Sequence, residues 1–460
     1  MDTKENKMGT TPVFKLIIKM SLPAMFSMLV QALYNIVDSY FVAQISDNAL
    51  TAISLAFPIQ MLMVSVGVGT GIGLNSLISR RLGEKRQEEA NSAATHGIIL
   101  GIFSWAIFAI LGLFFTRYFF SAFTDNVNTV NLGTTYFTIV STMSFGIFVQ
   151  INIEKTLQAT GNMIYPMVFQ LIGAITNIIL DPIFIFEKGA TLFGGAITMP
   201  FGFGFGMGGA AIATVIGQIL ALIVSLIVIF TKSHAVHITF KNFKLSKQII
   251  SDIYAVGLPS MVMQSIGSIL VICLNAILIT FSDAAVSVLG VYFKLQSFVF
   301  MPIFGLNHGV MPIIGYNYGA KNKVRLLQAL RYGTYIAAAI MFSGMVVFWL
   351  IPDKLLMIFN ASEEMLRIGT VALKAISTCF VPAAVGILFS TLFQAIGKGK
   401  YSLFVSLLRQ LVIILPVALF MSQFGVNYVW LSFPIAEVVS LFVSIGLFAS
   451  VYKKYIKQLQ

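Results

Sequence analysis

The sequence predicts an all-α integral membrane protein, with twelve transmembrane helices in two six-helix lobes related by a parallel internal repeat. Three observations carry this. The 460-residue chain is 58% hydrophobic and 10% charged, with mean hydropathy +0.90, whereas about a quarter of the residues of a soluble domain are charged. Its apolar runs reach the roughly 20 residues that a helix needs to cross a bilayer. Residues also recur at one constant offset of 236 positions.

In chain order the predicted spans are 16–45, 49–79, 93–115, 130–153, 163–186, 204–231, 250–282, 286–316, 330–352, 365–391, 401–423 and 426–452. Several are longer than a bilayer requires, as expected of helices that tilt or project into the interface. The connections leave no room for a soluble domain, and no GxxxxGK[ST] phosphate loop occurs, so an ATPase-driven pump within this chain is excluded. Residues 1–19 are polar and basic and lack the short apolar core and cleavage site of a signal peptide. The net charge of +12 is topological. With both termini in the cytoplasm, 23 basic residues, Lys155 and Arg409 among them, fall in cytoplasmic segments, against four in outer loops. That bias follows the positive-inside rule, supports the count of twelve and removes any reason to invoke nucleic acid.

The offset of 236 pairs Leu22-Pro23 with Leu258-Pro259, Gly69 with Gly305, Gly73 with Gly309, Gly83 with Gly319, and Gln158-Ala159 with Gln394-Ala395. Chance matches among leucine-rich helices would not favour glycine, proline and glutamine. An even number of spans per half makes the repeats parallel, about an axis along the membrane normal. The expected organisation is an N-lobe over 1–231, a cytoplasmic linker over 232–249 and a C-lobe over 250–460. Two such lobes facing each other enclose a central cavity whose access alternates by rocking, the architecture of a carrier.

An ionised carboxylate within the membrane is costly, so acids inside spans are functional candidates. Four qualify: Asp38, Glu154, Asp181 and Glu437. Gln31, Tyr34 and Asp38 are spaced by three and four and share one face of span 1. Asn177 stands four residues before Asp181 on span 5, and Pro182 removes a backbone donor beside that carboxylate, bending the helix and freeing a carbonyl for a cation or water. Two acids, an amide and a phenol in one lobe are placed to form a cation or proton site. The plainer alternative is that each acid is met by a hydroxyl or lysine and locks helix packing. Glu154, beside Lys155 at the end of span 4, reads equally as an interfacial pair or as a functional group. Glu437 follows Pro434, shows no polar companions at helical spacing and reads as a packing or oligomer contact. The positions matching Asp38 and Asp181 in the second half are Leu274 and Val417, which concentrates ion chemistry in the first lobe.

Lys294 and Lys374 are expected to snorkel toward the interface. The run PFGFGFGMGG (200–209) reads as a flexible extracellular entry to span 6. Cys273 and Cys379 read as buried thiols, and the four histidines show no paired-ligand spacing, so no metal site is expected. With no nucleophile elbow either, an enzyme is not expected.

SLPAMFSMLVQALYNIVDSYFVAQ in span 1, ISRRLGEKR after span 2 with its partner IGYNYGAKN after span 8, and LQATGN with FQAIGK resemble the multidrug and toxic compound extrusion (MATE) family over nearly the whole chain. The resemblance implies an antiporter in the bacterial cell membrane that expels lipophilic, often cationic drugs in exchange for protons or sodium. No cofactor beyond that coupling ion is implied, and a monomer with no partners besides small molecules and lipid is expected. Carried over residue by residue, it implies a coupling site at Asp38, Asn177, Asp181 and Thr214, with Gln31 and Tyr34 as cavity residues. Sodium is possible at Asp38, Asn177 and Asp181. Another branch of the family has acids in spans 7 and 10; the matching stretches GLPSMVMQSIGS and CFVPAAVGILF contain none, and Gln264 offers polarity there without titration. Glu154 and Gln264 complete the expected substrate cavity. The alternative function is a lipid-linked precursor flippase of the related superfamily, which needs a basic cavity for pyrophosphate.

Overall fold

A computed structural model describes residues 6–192, 197–241 and 243–459. Among the described residues ten helices are long and apolar enough to cross a membrane, and two further pairs, each bent at a short break and counted as one span, bring the spans to twelve. In order these are span 1 (Val13–Ala43), span 2 (Asp47–Gly83), span 3 (Gln87–Phe123), span 4 (Val127–Thr142 with Phe145–Ala159), span 5 (Ile164–Ile185) and span 6 (Gly206–Thr231). The second lobe follows with span 7 (Lys247–Leu278), span 8 (Asp283–Gly319), span 9 (Lys323–Leu350), span 10 (Glu363–Ser377 with Phe380–Ala395), span 11 (Gly399–Ser422) and span 12 (Val426–Ile456). Large apolar side chains such as Phe103, Phe114, Leu350 and Phe442 project outward, as a bundle solvated by lipid requires.

The repeat governs how helices start, stop and bend. Ser46 and Ser282, 236 apart, cap spans 2 and 8 by accepting the amides of Ala49 at 3.1 Å and Ala285 at 3.2 Å, which satisfies orphan donors at each N-terminus. Spans 4 and 10 bend by 45° and 47°. Hydroxyls there bond back to carbonyls of the preceding turn, Ser144 to Ser141 at 2.6 Å and Thr378 to Ala375 at 2.7 Å, competition that bends helices. The QA-x-G motifs end these spans. Gly161 and Gly397 take φ of 84° and 81°, the left-handed conformation that glycine adopts without a Cβ penalty. The residue after each returns its amide to a carbonyl five back, Asn162 to Leu157 at 3.0 Å and Lys398 to Phe393 at 2.7 Å.

The other repeated glycines form the seam between the lobes. Span 1 packs on span 8 and span 2 on span 7. A Cβ on Gly73 would strike the carbonyl of Ile253, and one on Gly309 would strike Ser21. Gly83 and Gly319 approach the carbonyls of Tyr316 and Arg80 in the same manner. Polar contacts close this end further: Ser76 donates to the Gln394 carbonyl at 2.6 Å, and Arg81 meets Asp252 at 3.2 Å. The lobes are therefore sealed at the end carrying Arg80, Arg81, Lys321 and Arg325.

The structure adds detail at two places, between spans 5 and 6 and at the start of span 7, and differs from expectation in the packing of the glycine and phenylalanine run and in the placing of Lys155 and Arg409. An antiparallel pair of two-residue strands, β1 (Thr191–Leu192) with β2 (Ile197–Thr198), lies between spans 5 and 6. The glycine and phenylalanine run beyond it packs back on span 5: Phe203 stacks on Phe184 and Phe205 at 5.2 and 5.5 Å, and its amides bond to the end of span 5, Phe203 to Ile183 at 2.9 Å and Phe205 to Phe184 at 2.8 Å. Span 7 begins at Lys247, inside the expected linker, because Ser246 caps it through the Ile249 amide. Lys155 and Arg409, assigned by sequence to cytoplasmic segments, lie within spans 4 and 11 and face the interior. Lys294 and Lys374 are exposed, with Lys294 over the Phe359 ring at 5.7 Å.

Gly73→Ala and Gly309→Ala are each expected to destabilise the protein by about 1–3 kcal/mol, the range for overpacking a tight contact. Gly290→Ala, with nothing within 4 Å of the added methyl, is expected to leave the thermal midpoint unchanged. Scanning the three variants in detergent checks the seam; equal midpoints for all of them would contradict it.

Candidate functional site: an acid pair beside an interlobe cavity

Between the lobes lies a cavity of about 620 Å³, within the range for drug-sized ligands. Gln31, Tyr34, Glu154, Asn177, Thr214 and Gln264 all line it. The helical spacing of Gln31 and Tyr34 on span 1 turns both inward, and Gln264 faces them from span 7.

Asp38 and Asp181 sit behind this wall, where spans 1 and 5 pack together. Their carboxyl groups lie close enough to interact. Such a contact becomes a hydrogen bond only if one of the two carries a proton, since neither carboxylate can donate. Asp181 is fully buried. Asn177, one turn earlier, donates through its amide to the Thr214 hydroxyl of span 6 at 3.1 Å, and Tyr34 lies close to that hydroxyl. Both Asp181 carboxyl oxygens and Asn177 Oδ1 are buried without a hydrogen-bond partner among the described residues. With only the Asn177 amide near Asp181 among the described residues, these unpaired acceptor oxygens make a cluster complementary to a proton or a small cation, because a buried acceptor left unpaired costs about 1–3 kcal/mol. The structure thus brings together Asp38, Asn177, Asp181, Thr214 and Tyr34. Sequence reading did not single out Tyr136, whose hydroxyl is near enough to feel the Asp38 charge and accepts from Gln60 at 3.1 Å. It comes from span 4, and no spacing along the chain foretells that approach.

Glu154 belongs to a separate cluster. Its carboxylate accepts from Gln150, Gln158 and Gln170 at 3.4, 2.9 and 3.1 Å, with Lys155 Nζ at 3.8 Å. Lys155 also donates to Gln158 at 3.0 Å and lies 3.3 Å from His308 Nδ1 across the interlobe gap. The pair is therefore buried in the bundle and not interfacial. The spacing Gln150, Glu154, Gln158 is legible on one helix face; Gln170 and His308 are not.

Glu437 is not the isolated packing residue expected. Arg409 of span 11 reaches its carboxylate with Nη1 at 3.3 and 3.5 Å, and both residues line the cavity. Ser440 and Ser444 follow on the same face, their hydroxyls buried without partners among the described residues. The i, i+3, i+7 pattern in span 12 was readable, and the second lobe has its own interior charge pair. Leu274, opposite Asp38 in the repeat, is a buried apolar residue.

Arg409→Ala is expected to destabilise the protein by about 2–4 kcal/mol, more than Glu437→Ala, and Arg409→Met with Glu437→Leu is expected to restore most of the loss. The asymmetry follows because the Glu437 side chain is 8% exposed and cannot rehydrate, whereas Arg409 is 27% exposed. Thermal unfolding of the three variants measures it.

The geometry coincides with known proteins. A MatE family model matches residues 23–183 and 259–420, two copies starting 236 residues apart. The multidrug export protein MepA of Staphylococcus aureus is 28% identical over 93% of this chain and 91% of its own. The Staphylococcus haemolyticus protein of that name is 27% identical over 94% and 92%. Among solved structures, the outward-facing conformation of a multidrug resistance MATE family transporter of the MOP superfamily aligns with TM-score 0.90 at 27% identity, covering 98% of this chain and 99% of that one. A MOP superfamily transporter from Pyrococcus furiosus, described by the reverse polarity of its binding pocket, aligns with TM-score 0.89 at 27% identity and the same coverage.

Proposed function

The chain belongs to the MatE family of membrane transporters, and from that premise we propose that it is a cation-coupled antiporter exporting lipophilic, often cationic compounds in exchange for protons or sodium. It is a transporter and not an enzyme, and works as a multi-pass membrane protein. In the proposed orientation both termini are cytoplasmic, so the sealed seam faces the cytoplasm and the cavity opens outward.

The observation that carries this reading is the set of buried acceptors beside the cavity: Asp181, Asn177 and the nearby carboxyl of Asp38. A proton or sodium ion arriving there satisfies oxygens that otherwise lack partners. The same event draws on Thr214 and Tyr34, which belong to the cavity wall. Coupling thus passes through spans 1, 5 and 6. Ion binding alters how these helices pack, and the cavity they line alters its hold on substrate. By linkage, substrate and ion then change each other's affinity by the same factor. Gln31, Gln264 and the Glu154 cluster supply the polar points of a largely apolar substrate site. The flippase alternative requires a basic cavity, but the charged lining here consists of two acids and two bases, Glu154, Lys155, Arg409 and Glu437.

Ethidium efflux from reconstituted vesicles, with a pH gradient and a sodium gradient imposed separately, tests the proposal. Asp181→Asn and Asp38→Asn, inserted at normal levels, are each expected to reduce gradient-driven efflux at least about tenfold, the loss of roughly 1.4 kcal/mol of coupling. Full efflux by either variant overturns the assignment, and polyprenyl pyrophosphate binding without dye transport supports the flippase instead.

A further inference from the structure

Arg409 occupies an unusual place. It stands at the start of a π-helical stretch, Leu408–Ile414, inside span 11. Pro416 explains the stretch locally: with no amide it cannot bond to the Val412 carbonyl, and its ring crowds that carbonyl, so the preceding turn widens. Widened turns of this kind recur at functional sites because they re-aim a side chain. Here Arg409 lines the cavity.

The guanidinium is only half used. One nitrogen, Nη1, serves both oxygens of Glu437, and the structure shows no hydrogen bond from Nε or Nη2 among the described residues. A guanidinium carries its donors in a rigid fork, and the edge formed by two adjacent nitrogens matches a carboxylate bidentately. Glu437 fixes the far side of the group, and its neighbour Gln410 is turned away, donating to Ser406 at 2.8 Å.

We propose that the free Nε and Nη2 edge of Arg409 is a C-lobe subsite for the carboxylate of zwitterionic substrates. This rests on the reading of the cavity as the transport site. Charge balance favours a zwitterion over a simple anion. The charged lining groups pair off, Glu154 with Lys155 and Glu437 with Arg409, so the cavity wall is close to neutral. A net-neutral ligand enters such a low-dielectric space without an uncompensated charge, whereas a monoanion does not.

The probes are rhodamine B, zwitterionic at neutral pH, and its methyl ester, which is cationic and lacks the carboxylate. Binding to the full-length protein in lipid nanodiscs is read by fluorescence anisotropy, and the measured quantity is the affinity ratio of acid to ester. The wild type is expected to favour the acid by about tenfold or more, the scale of a hydrogen-bonded charge pair. Because Arg409→Gln alone strands Glu437, the decisive comparison is between Glu437→Gln and the double variant Glu437→Gln, Arg409→Gln. The first keeps the preference, and the second brings the ratio to about one. Arg409→Lys in the Glu437→Gln background keeps the charge but not the fork, and retains only part of the preference. A wild type that binds the ester as tightly as the acid, or binds neither, overturns the subsite, as does a double variant that keeps the preference. Gradient-driven efflux of the ester separates the two readings: its absence with the acid preference intact sinks antiport alone, and its presence without that preference sinks the subsite alone.

Discussion

Everything in this protein depends on how closely two pairs of helices approach at one end of the bundle. Spans 1 and 8, and spans 2 and 7, meet across glycines whose missing Cβ atoms are replaced by the partner's backbone or by Ser21. Lipid supplies no hydrophobic force between helices, so association relies on close packing and on hydrogen bonds. The seam provides both, with Ser76 on the Gln394 carbonyl and Arg81 on Asp252 beside the glycine contacts. Sealing one end leaves a cavity open between the lobes beyond it, and a seam made of small residues and a few polar contacts can part without unfolding either lobe.

The cavity and the acid pair are separate features that share a wall. Tyr34, Asn177 and Thr214 face the cavity, yet Asn177 and Thr214 are hydrogen-bonded to each other next to Asp181. A charge change at the carboxyl pair therefore reaches the cavity through one layer of side chains. In the opposite lobe, Arg409 and Glu437 confront the same space with a pre-assembled ion pair. The two lobes share a fold through the repeat but differ in chemistry, an acid cluster in one and a basic fork in the other.

Pattern and spacing made much of this legible. The glycines at offset 236 marked the repeat, though not that Gly73, Gly83, Gly309 and Gly319 would meet across the lobes, and spans 4 and 10 run on to Ala159 and Ala395, past the predicted ends at 153 and 391, up to glycines whose left-handed backbone stops each helix. Asp38 with Tyr34, and Asp181 with Asn177, were readable since residues three or four apart share a helix face. Failure came where the partner lay on another helix. Arg409 looked like a cytoplasmic charge and Glu437 like a packing residue, since a paired interior charge and a solvated loop charge look alike in a linear chain.

The sequence by itself determined the membrane, the twelve spans, the twofold repeat and the residues able to carry ion chemistry, because these follow from composition, local propensity and the cost of charge in lipid. Only the tertiary structure decided which of those residues meet. It set Asp38 against Asp181, buried Lys155 between Glu154 and His308, and turned Arg409 inward onto Glu437. The reason is that such encounters depend on how separate helices rotate and cross, which is settled by packing across the whole bundle and by no single segment of it.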